Sequence, residues 1–165
     1  MRAVLSIGSN MEDRRALLAS VPRHFGPQVR AQSQVYATPP WGVTDQPDFL
    51  NVTLIVETPD TPLELLHRGW ALEQAAQRTR LRRWGPRTLD VDIVAAWDER
   101  GAEITSADPT LTLPHPQAHN RAFVLVPWLE IDPHATLGGK PVAQIVAGLD
   151  PDEVAAVRAD GPLEV

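Results

Sequence analysis

Residues 89–93, Leu89-Asp90-Val91-Asp92-Ile93, alternate strictly between aliphatic and acidic side chains, and this period of two constrains the fold more than any other stretch. Successive side chains on a pleated strand point to opposite sides, so the pattern is that of a strand with one buried and one open face. The chain must therefore build a sheet with one covered surface and another that carries two carboxylates. Residues i and i+2 on such a strand stand about 6.5–7 Å apart. Asp90 and Asp92 can then converge on one metal, or bridge two divalent ions ~3.5–4 Å apart. Hard oxygen donors suit Mg²⁺.

Taken alone, such a pair also fits the solvated face of an edge strand. Its neighbours separate the two readings. Arg78, Arg80, Arg82, Arg83 and Arg87 place five of the fifteen basic residues within ten positions, on a chain of net charge −6. The run contains no Lys, and no acid before Asp90. Planar guanidinium forks match phosphate oxygens, and Gly85-Pro86 is a turn signal that brings Trp84 and Arg87 beside the carboxylates. A metal-binding acid pair next to an arginine cluster is the equipment of polyphosphate transfer.

The remaining composition narrows the class. A chain of 165 residues is expected to form a single domain, 1–165, with a sizeable core. It has no cysteine, which removes disulfides and thiolate metal sites and fits a reducing, cytoplasmic setting. Met1 to Gly8 is too short an apolar run for a signal peptide, and no stretch approaches membrane-spanning length, so no membrane partner is expected. A pI near 5.3 argues against general nucleic-acid binding.

Along the chain, Arg2 to Ile7 predicts a first strand, and Ser9 or Asn10 a cap for a helix bearing Leu17, Leu18, Val21 and Phe25 that stops at Gly26. Val29 to Tyr36 predicts a second strand, and 38–47 a proline-stiffened loop. In Phe49 to Glu57, Leu50, Val52, Leu54 and Val56 fall on one face. Phe49, Asn51, Thr53 and Ile55 fall on the other, to be shared with Asp90 and Asp92 if the strands pair. Thr61-Pro62-Leu63-Glu64 opens a helix with a cap, Pro at its first position and an acid at its positive end. Its stripe is Leu65, Leu66, Trp70, Leu72 and Ala76. Asp98 to Gly101 is a hairpin turn into an edge strand at 102–105. Helical turns are expected around 123–129 and 141–146, and a peripheral acidic tail from Asp150. The order strand, helix, strand, strand, helix, strand predicts an α+β, ferredoxin-like β-α-β-β-α-β antiparallel sheet, with helices on one face, C-terminal additions and the other face free for ligands.

The run Arg83-Trp84-Gly85-Pro86-Arg87-Thr88-Leu89-Asp90-Val91-Asp92-Ile93 closely resembles the signature of the 6-hydroxymethyl-7,8-dihydropterin pyrophosphokinase family of the folate pathway. Ile7-Gly8-Ser9-Asn10, Thr38-Pro39-Pro40-Trp41-Gly42 with Gln46-Pro47-Asp48-Phe49-Leu50-Asn51, and Leu113-Pro114-His115-Pro116 with Arg121-Ala122-Phe123-Val124-Leu125 match further blocks in the family's order. The resemblance implies ATP-dependent pyrophosphoryl transfer to the pterin, with AMP leaving. It makes Asp90 and Asp92 ligands of two Mg²⁺ ions and catalytic residues, together with Arg80 and Arg87. The pterin would lie between Phe49 and Phe123, its edge read by Asn51 and by backbone near Thr38, Pro39 and Trp41, with Gly8 facing it and Trp84 closing over it. Glu73 would contact the nucleotide. Arg78, Arg80, Arg83, Arg87, His115 and Arg121 would clamp the triphosphate. The chain departs from the family at Glu12 and Gln77, where relatives carry Gly. Gln77 lets the second helix run on toward the arginines.

The partners implied are ATP and 6-hydroxymethyl-7,8-dihydropterin, bound by a monomer. The rival reading is a nucleotide- or RNA-binding ferredoxin-like module without catalysis, which would stack bases on an aromatic sheet face. A degenerate, non-catalytic relative is a second rival, opposed by intact Asn51, Arg87, Asp90 and Asp92.

Overall fold

The computed structural model describes residues 1–10, 13–39, 47–78 and 89–165, with the side chain of Arg78 outside that set. In chain order the elements are β1 (Arg2–Ser9), α1 (Arg14–Phe25), β2 (Val29–Gln32), β3 (Tyr36–Thr38), β4 (Phe49–Glu57), α2 (Pro62–Arg78) and β5 (Asp90–Trp97). A second group follows: β6 (Ser106–Asp108), β7 (Leu111–Leu113), α3 (Ala122–Ile131), β8 (Thr136–Leu137), β9 (Lys140–Pro141), α4 (Val142–Ala147), α5 (Pro151–Ala155) and β10 (Arg158–Ala159). Among the described residues the main sheet has the order β10-β3-β4-β1-β5, with β2 also on β4, and every pairing is antiparallel.

Alternation along the strands sorts the side chains between two cores. Ala3, Leu5 and Ile7 of β1, Val52, Leu54 and Val56 of β4, and Val91 and Ile93 of β5 pack with Leu18, Val21 and Phe25 of α1 and Leu65 and Ala76 of α2. Each fully buried Val, Leu, Ile or Phe side chain among these contributes about 1.5–3 kcal/mol. Gly26 ends α1 with φ 54, where glycine carries no Cβ penalty. At the start of α2, Thr61 N–H donates to Glu64 Oε1 (2.9 Å) and Glu64 N–H donates to Thr61 Oγ1 (3.2 Å). This reciprocal capping box is worth about 1 kcal/mol.

The opposite face is not left free, as the sequence pattern suggested. Val4, Ile55, Val94 and Ala95 on that face pack under Val124, Leu125 and Trp128 of α3, with Val142 of α4 beyond. Only the end of the face beyond Thr53 remains open, because α3 covers the aliphatic end and begins beside Thr53, whose hydroxyl lies 3.5 Å from Val124 O.

Other expectations are corrected by local geometry. The segment Val29–Tyr36 is two strands, because four steps from Gln32 to Tyr36 oppose three steps from Leu54 to Asn51. The extra residue is absorbed at Ser33, whose N–H donates to Thr53 O and whose hydroxyl accepts from Thr53 N (both 2.9 Å), while Val35 turns to bond Gly161 O. Asp13, not Ser9 or Asn10, occupies the cap position of α1, without a side-chain cap bond. Glu12 lies outside the described residues. Residues 102–105 make one bridge, Trp97 to Glu103, rather than a strand. Trp70 is 43% exposed, because α2 meets the sheet through Leu65, Gly69 and Ala76 and carries Trp70 outward. Pro141 precedes α4 instead of beginning it. The tail is not peripheral: β10 pairs with β3, and Leu163 is buried in the helix-side core.

Candidate active site

Register places the site. Gly8 of β1 lies opposite Asn51 of β4 on one side and Asp90 of β5 on the other. Directly opposed residues point to the same face, so amide, glycine and carboxylate form one row across three strands. Ser6 faces Asp92 in the next row, and Thr38 of β3 faces Phe49. These residues line a cleft of about 810 Å³, together with Pro39, His115, Arg121 and Phe123. Of the residues expected at the site, the structure therefore brings together Gly8, Thr38, Pro39, Phe49, Asn51, Asp90, Asp92, His115, Arg121 and Phe123. Trp41, Arg80, Arg83, Trp84 and Arg87 lie outside the described residues. Arg78 ends α2, and its side chain is likewise outside them.

Gly8 must be small. A methyl group built on it would stand 2.6 Å from Asn51 Oδ1, closer than atoms pack. Asn51 is only 5% exposed and lines the cleft, so its amide has little room to turn. Phe49 borders the same wall and Phe123 enters from α3.

A bulge places the histidine. The β1–β5 register slips between Val4, opposite Ala95, and Leu5, opposite Ile93, which leaves Val94 unmatched. Val94 O accepts from His115 N–H at 2.8 Å, fixing the turn after β7 against β5. His115 Nδ1 accepts from Gln117 N–H at 3.1 Å. Burial lowers the imidazole pKa most; Asp92 draws it back up and Arg121 pushes it down. A neutral ring that accepts at Nδ1 carries its proton on Nε2, where it can donate to an anion. Arg121 stands 3.8 Å from Asp92 Oδ2 with both side chains partly exposed, and 5.7 Å over the Phe123 ring. At this exposure the pair contributes little to stability. Its consequence is to hold a guanidinium between the carboxylates and the aromatic wall.

Among the described residues, no group of three or more His, Cys, Asp or Glu side chains converges as a metal cage. Asp90 and Asp92 fit Mg²⁺ in another way. That ion keeps waters, binds through one or two carboxylates and fills its octahedron with substrate phosphate oxygens.

The sequence did not point to Ser6, Asn120, Asp152, Glu153, Ala156 or Val157, which also line the cleft. Ser6 follows from the alternation of β1, since it shares the parity of Gly8. Nothing in the acidic tail marks α5 as a wall, because its packing against α3 and the β10–β3 pairing bring it there.

The sequence model of the family described as 7,8-dihydro-6-hydroxymethylpterin-pyrophosphokinase matches residues 4–133. A protein of Mycobacterium tuberculosis (strain ATCC 25618 / H37Rv) named 2-amino-4-hydroxy-6-hydroxymethyldihydropteridine pyrophosphokinase is 45% identical, over 98% of this chain and 90% of its own. Proteins of the same name are 44% identical in Methylorubrum extorquens, over 95% and 99%, and 38% identical in Haemophilus influenzae, over 89% of each. Among solved structures, the wild-type Plasmodium falciparum HPPK-DHPS with pteroate superposes with a TM-score of 0.59 over 88% of this chain, at 13% identity. This chain spans 42% of that longer one, and the likeness is one of fold.

Proposed function

The chain belongs to the 7,8-dihydro-6-hydroxymethylpterin-pyrophosphokinase family, and from that premise we propose that the cleft is its active site. It is an ATP-dependent enzyme of folate biosynthesis that transfers a pyrophosphoryl group to 6-hydroxymethyl-7,8-dihydropterin. The observation that supports the site is the row Asn51, Gly8, Asp90: an amide suited to reading a ring edge and a carboxylate suited to a metal share one wall, one strand apart on either side of a glycine.

The flat pterin lies between Phe49 and Phe123, in the offset stacking that aromatic quadrupoles favour. Asn51 and backbone at Thr38 read its edge. The hydroxymethyl group then points along the row toward Asp90 and Asp92. Its oxygen attacks the β-phosphorus of ATP; the new O–P bond forms as the bond to the α-phosphate oxygen breaks, AMP leaves, and the hydroxyl proton passes to solvent. Asp90 and Asp92 would hold two Mg²⁺, which when bound neutralise phosphate charge and lower the pKa of the attacking hydroxyl. His115 Nε2–H and the Arg121 guanidinium donate to phosphate oxygens from the other side of the cleft. Arg78, Arg80, Arg83 and Arg87, with backbone near Trp41 at the ring's edge and Trp84 over the ring, complete the clamp that the resemblance implies. Positioning of oxygen and phosphorus at about 3–3.5 Å, and stabilisation of charge, do most of the work.

We infer further that the sheet is ferredoxin-like, with β2 and β3 together filling the place of one broken strand. The order and the antiparallel pairings support this. Residues 1–165 then act as one domain, a monomer in the cytoplasm without nucleic-acid or membrane partners.

The test is Mg²⁺-dependent release of AMP from ATP, expected only when hydroxymethyl-dihydropterin is present. Asp92→Asn is expected to lower turnover by about 100-fold or more, the scale on which removing one charge-stabilising group acts. An Asp92→Asn variant with full turnover would refute the metal assignment, and AMP release indifferent to the pterin would refute the function.

A further inference from the structure

Among the described residues β5 is the last strand of its sheet, so the backbone groups on its outer edge need partners from outside the ladder. Three elements supply them. Ile104 N–H donates to Ala96 O and His115 N–H donates to Val94 O, each at 2.8 Å. At Val91 the partner is a side chain: Val91 N–H donates to Glu73 Oε2 at 2.9 Å. Val91 stands between Asp90 and Asp92, so this bond fixes the Asp90–Val91 peptide, one of the two that join the carboxylate residues.

A second contact meets the first. Glu73 lies four residues after Gly69, on the same face of α2. At Gly69 helix and strand come close: a methyl built there would stand 3.3 Å from Val91 Cγ1 and 3.7 Å from Val91 O. Val91 is 6% exposed and packs on the helix side, while Asp90 and Asp92 face the cleft. A twist of the strand about Val91 therefore moves both carboxylates at once. Glu73 is not among the residues that line the cleft.

We propose that Glu73 is a positioning residue for the metal carboxylates: through Val91, and with Gly69 as a second point of close contact, α2 sets the aim of Asp90 and Asp92. This differs from the nucleotide contact that the resemblance implies for Glu73, and it rests on the reading that Asp90 and Asp92 hold Mg²⁺. A carboxylate suits the task because a charged acceptor makes a shorter, stronger bond to N–H than a neutral one does.

The discriminating variants are Glu73→Leu, which keeps bulk without an acceptor, and Glu73→Gln, which keeps an oxygen acceptor without the charge. Mg²⁺ binding is titrated calorimetrically on the whole protein saturated with a non-hydrolysable ATP analogue, so no turnover enters. Amide hydrogen exchange at Val91 is followed in parallel. Glu73→Leu is expected to weaken Mg²⁺ binding about 10-fold or more, as loss of an orienting partner behind a metal ligand does, and to speed exchange at Val91. Glu73→Gln is expected to recover most of both losses. Gly69→Ala, which presses on Val91 from its other contact, is expected to weaken Mg²⁺ binding without touching Glu73, and it serves if Glu73→Leu does not fold. Glu73→Leu with wild-type Mg²⁺ affinity, while Asp92→Asn loses it, overturns the inference and leaves the function standing. Glu73→Gln as impaired as Glu73→Leu assigns Glu73 to charge and also overturns it. Asp92→Asn with unchanged Mg²⁺ affinity instead removes the reading on which the inference rests.

Discussion

Gly8→Ala adds one methyl group at the centre of the cleft wall, and its effect can be worked from distances. The new carbon would stand 2.6 Å from Asn51 Oδ1. The contact must open by roughly 0.7 Å to reach an ordinary C···O separation near 3.3 Å. Leu50 O, at 3.6 Å, is already in normal contact, so the strain falls on the Asn51 side chain. Asn51 is 5% exposed and has little room to turn. Driving it about 30° off its rotamer costs on the order of 0.5–1.5 kcal/mol. Replacing glycine by alanine within a strand returns about 0.5–1 kcal/mol of backbone entropy. Global stability should therefore change by less than about 1 kcal/mol. Recognition should change more. An amide turned off the ring edge forfeits one or two hydrogen bonds, about 1–3 kcal/mol, or roughly 5- to 140-fold in the KM for the pterin at 1.4 kcal/mol per decade. The KM for ATP should not move. Steady-state kinetics of Gly8→Ala, Asn51→Ala and the double variant supply the check. If the methyl acts through Asn51, it adds nothing once the amide is gone, and the coupling between the two changes should reach about 1 kcal/mol or more. Additive effects, or a Gly8→Ala enzyme with unaltered pterin KM, would show that Asn51 does not read the ring from the position the structure gives it.

Two predictions concern the far side of β3 and the tail. Tyr36 is the chain's one tyrosine; burial, followed by its 2.6 Å bond to Glu130, raises its pKa from 10.0 to about 12. A raised phenol pKa means that the folded state holds its proton more tightly than the unfolded chain. The associated stability is fully present below about pH 10 and is lost as pH rises through about 12. Phenolate absorbance should accordingly stay low up to about pH 11, and a midpoint near 10 in protein that is still folded would contradict the geometry. Leu163→Ala should cost about 2–4 kcal/mol, read as a lowered urea midpoint at unchanged slope. A change under about 0.5 kcal/mol, the scale of surface substitutions, would return the tail to the periphery.

Where local chemistry alone decided the structure, it was legible in the sequence. Thr61-Pro62-Leu63-Glu64 needs no distant partner to cap α2, and Gly26 needs none to end α1. The features that escaped are those a second segment imposes. The break at Ser33 exists because β3 must pair one residue out of step with β2, and because Val35 bonds the chain near Gly161. β10 has two residues, too few to show a period. The stripe proposed for α2 placed Trp70 inside because its spacing permits it. The helix instead approaches at Gly69, a residue without a side chain to count, which turns its neighbour outward.

The cleft itself was written across three strands in a form that only their register makes readable. On the face away from α1 and α2, β1 runs Val4, Ser6, Gly8; β4 runs Ile55, Thr53, Asn51; β5 runs Val94, Asp92, Asp90. Each series passes from aliphatic to polar, and the pairings Val4 with Ile55, Ser6 with Thr53 and Asp92, and Gly8 with Asn51 and Asp90 bring the three changes to one level. An aliphatic patch in water is driven under cover, and α3 supplies that cover through Val124, Leu125 and Trp128. The polar patch offers α3 nothing to bury, and desolvating Asp90 and Asp92 beneath a helix without partners would cost several kcal/mol. The helix therefore begins beside Thr53, and Phe123 and Arg121 at that end border the open half. The same switch of side-chain type thus anchors the cover of the core and leaves the cleft beside it open, which is why Asp90, Asp92 and Asn51 lie at the edge of α3 and not at the middle of an exposed sheet.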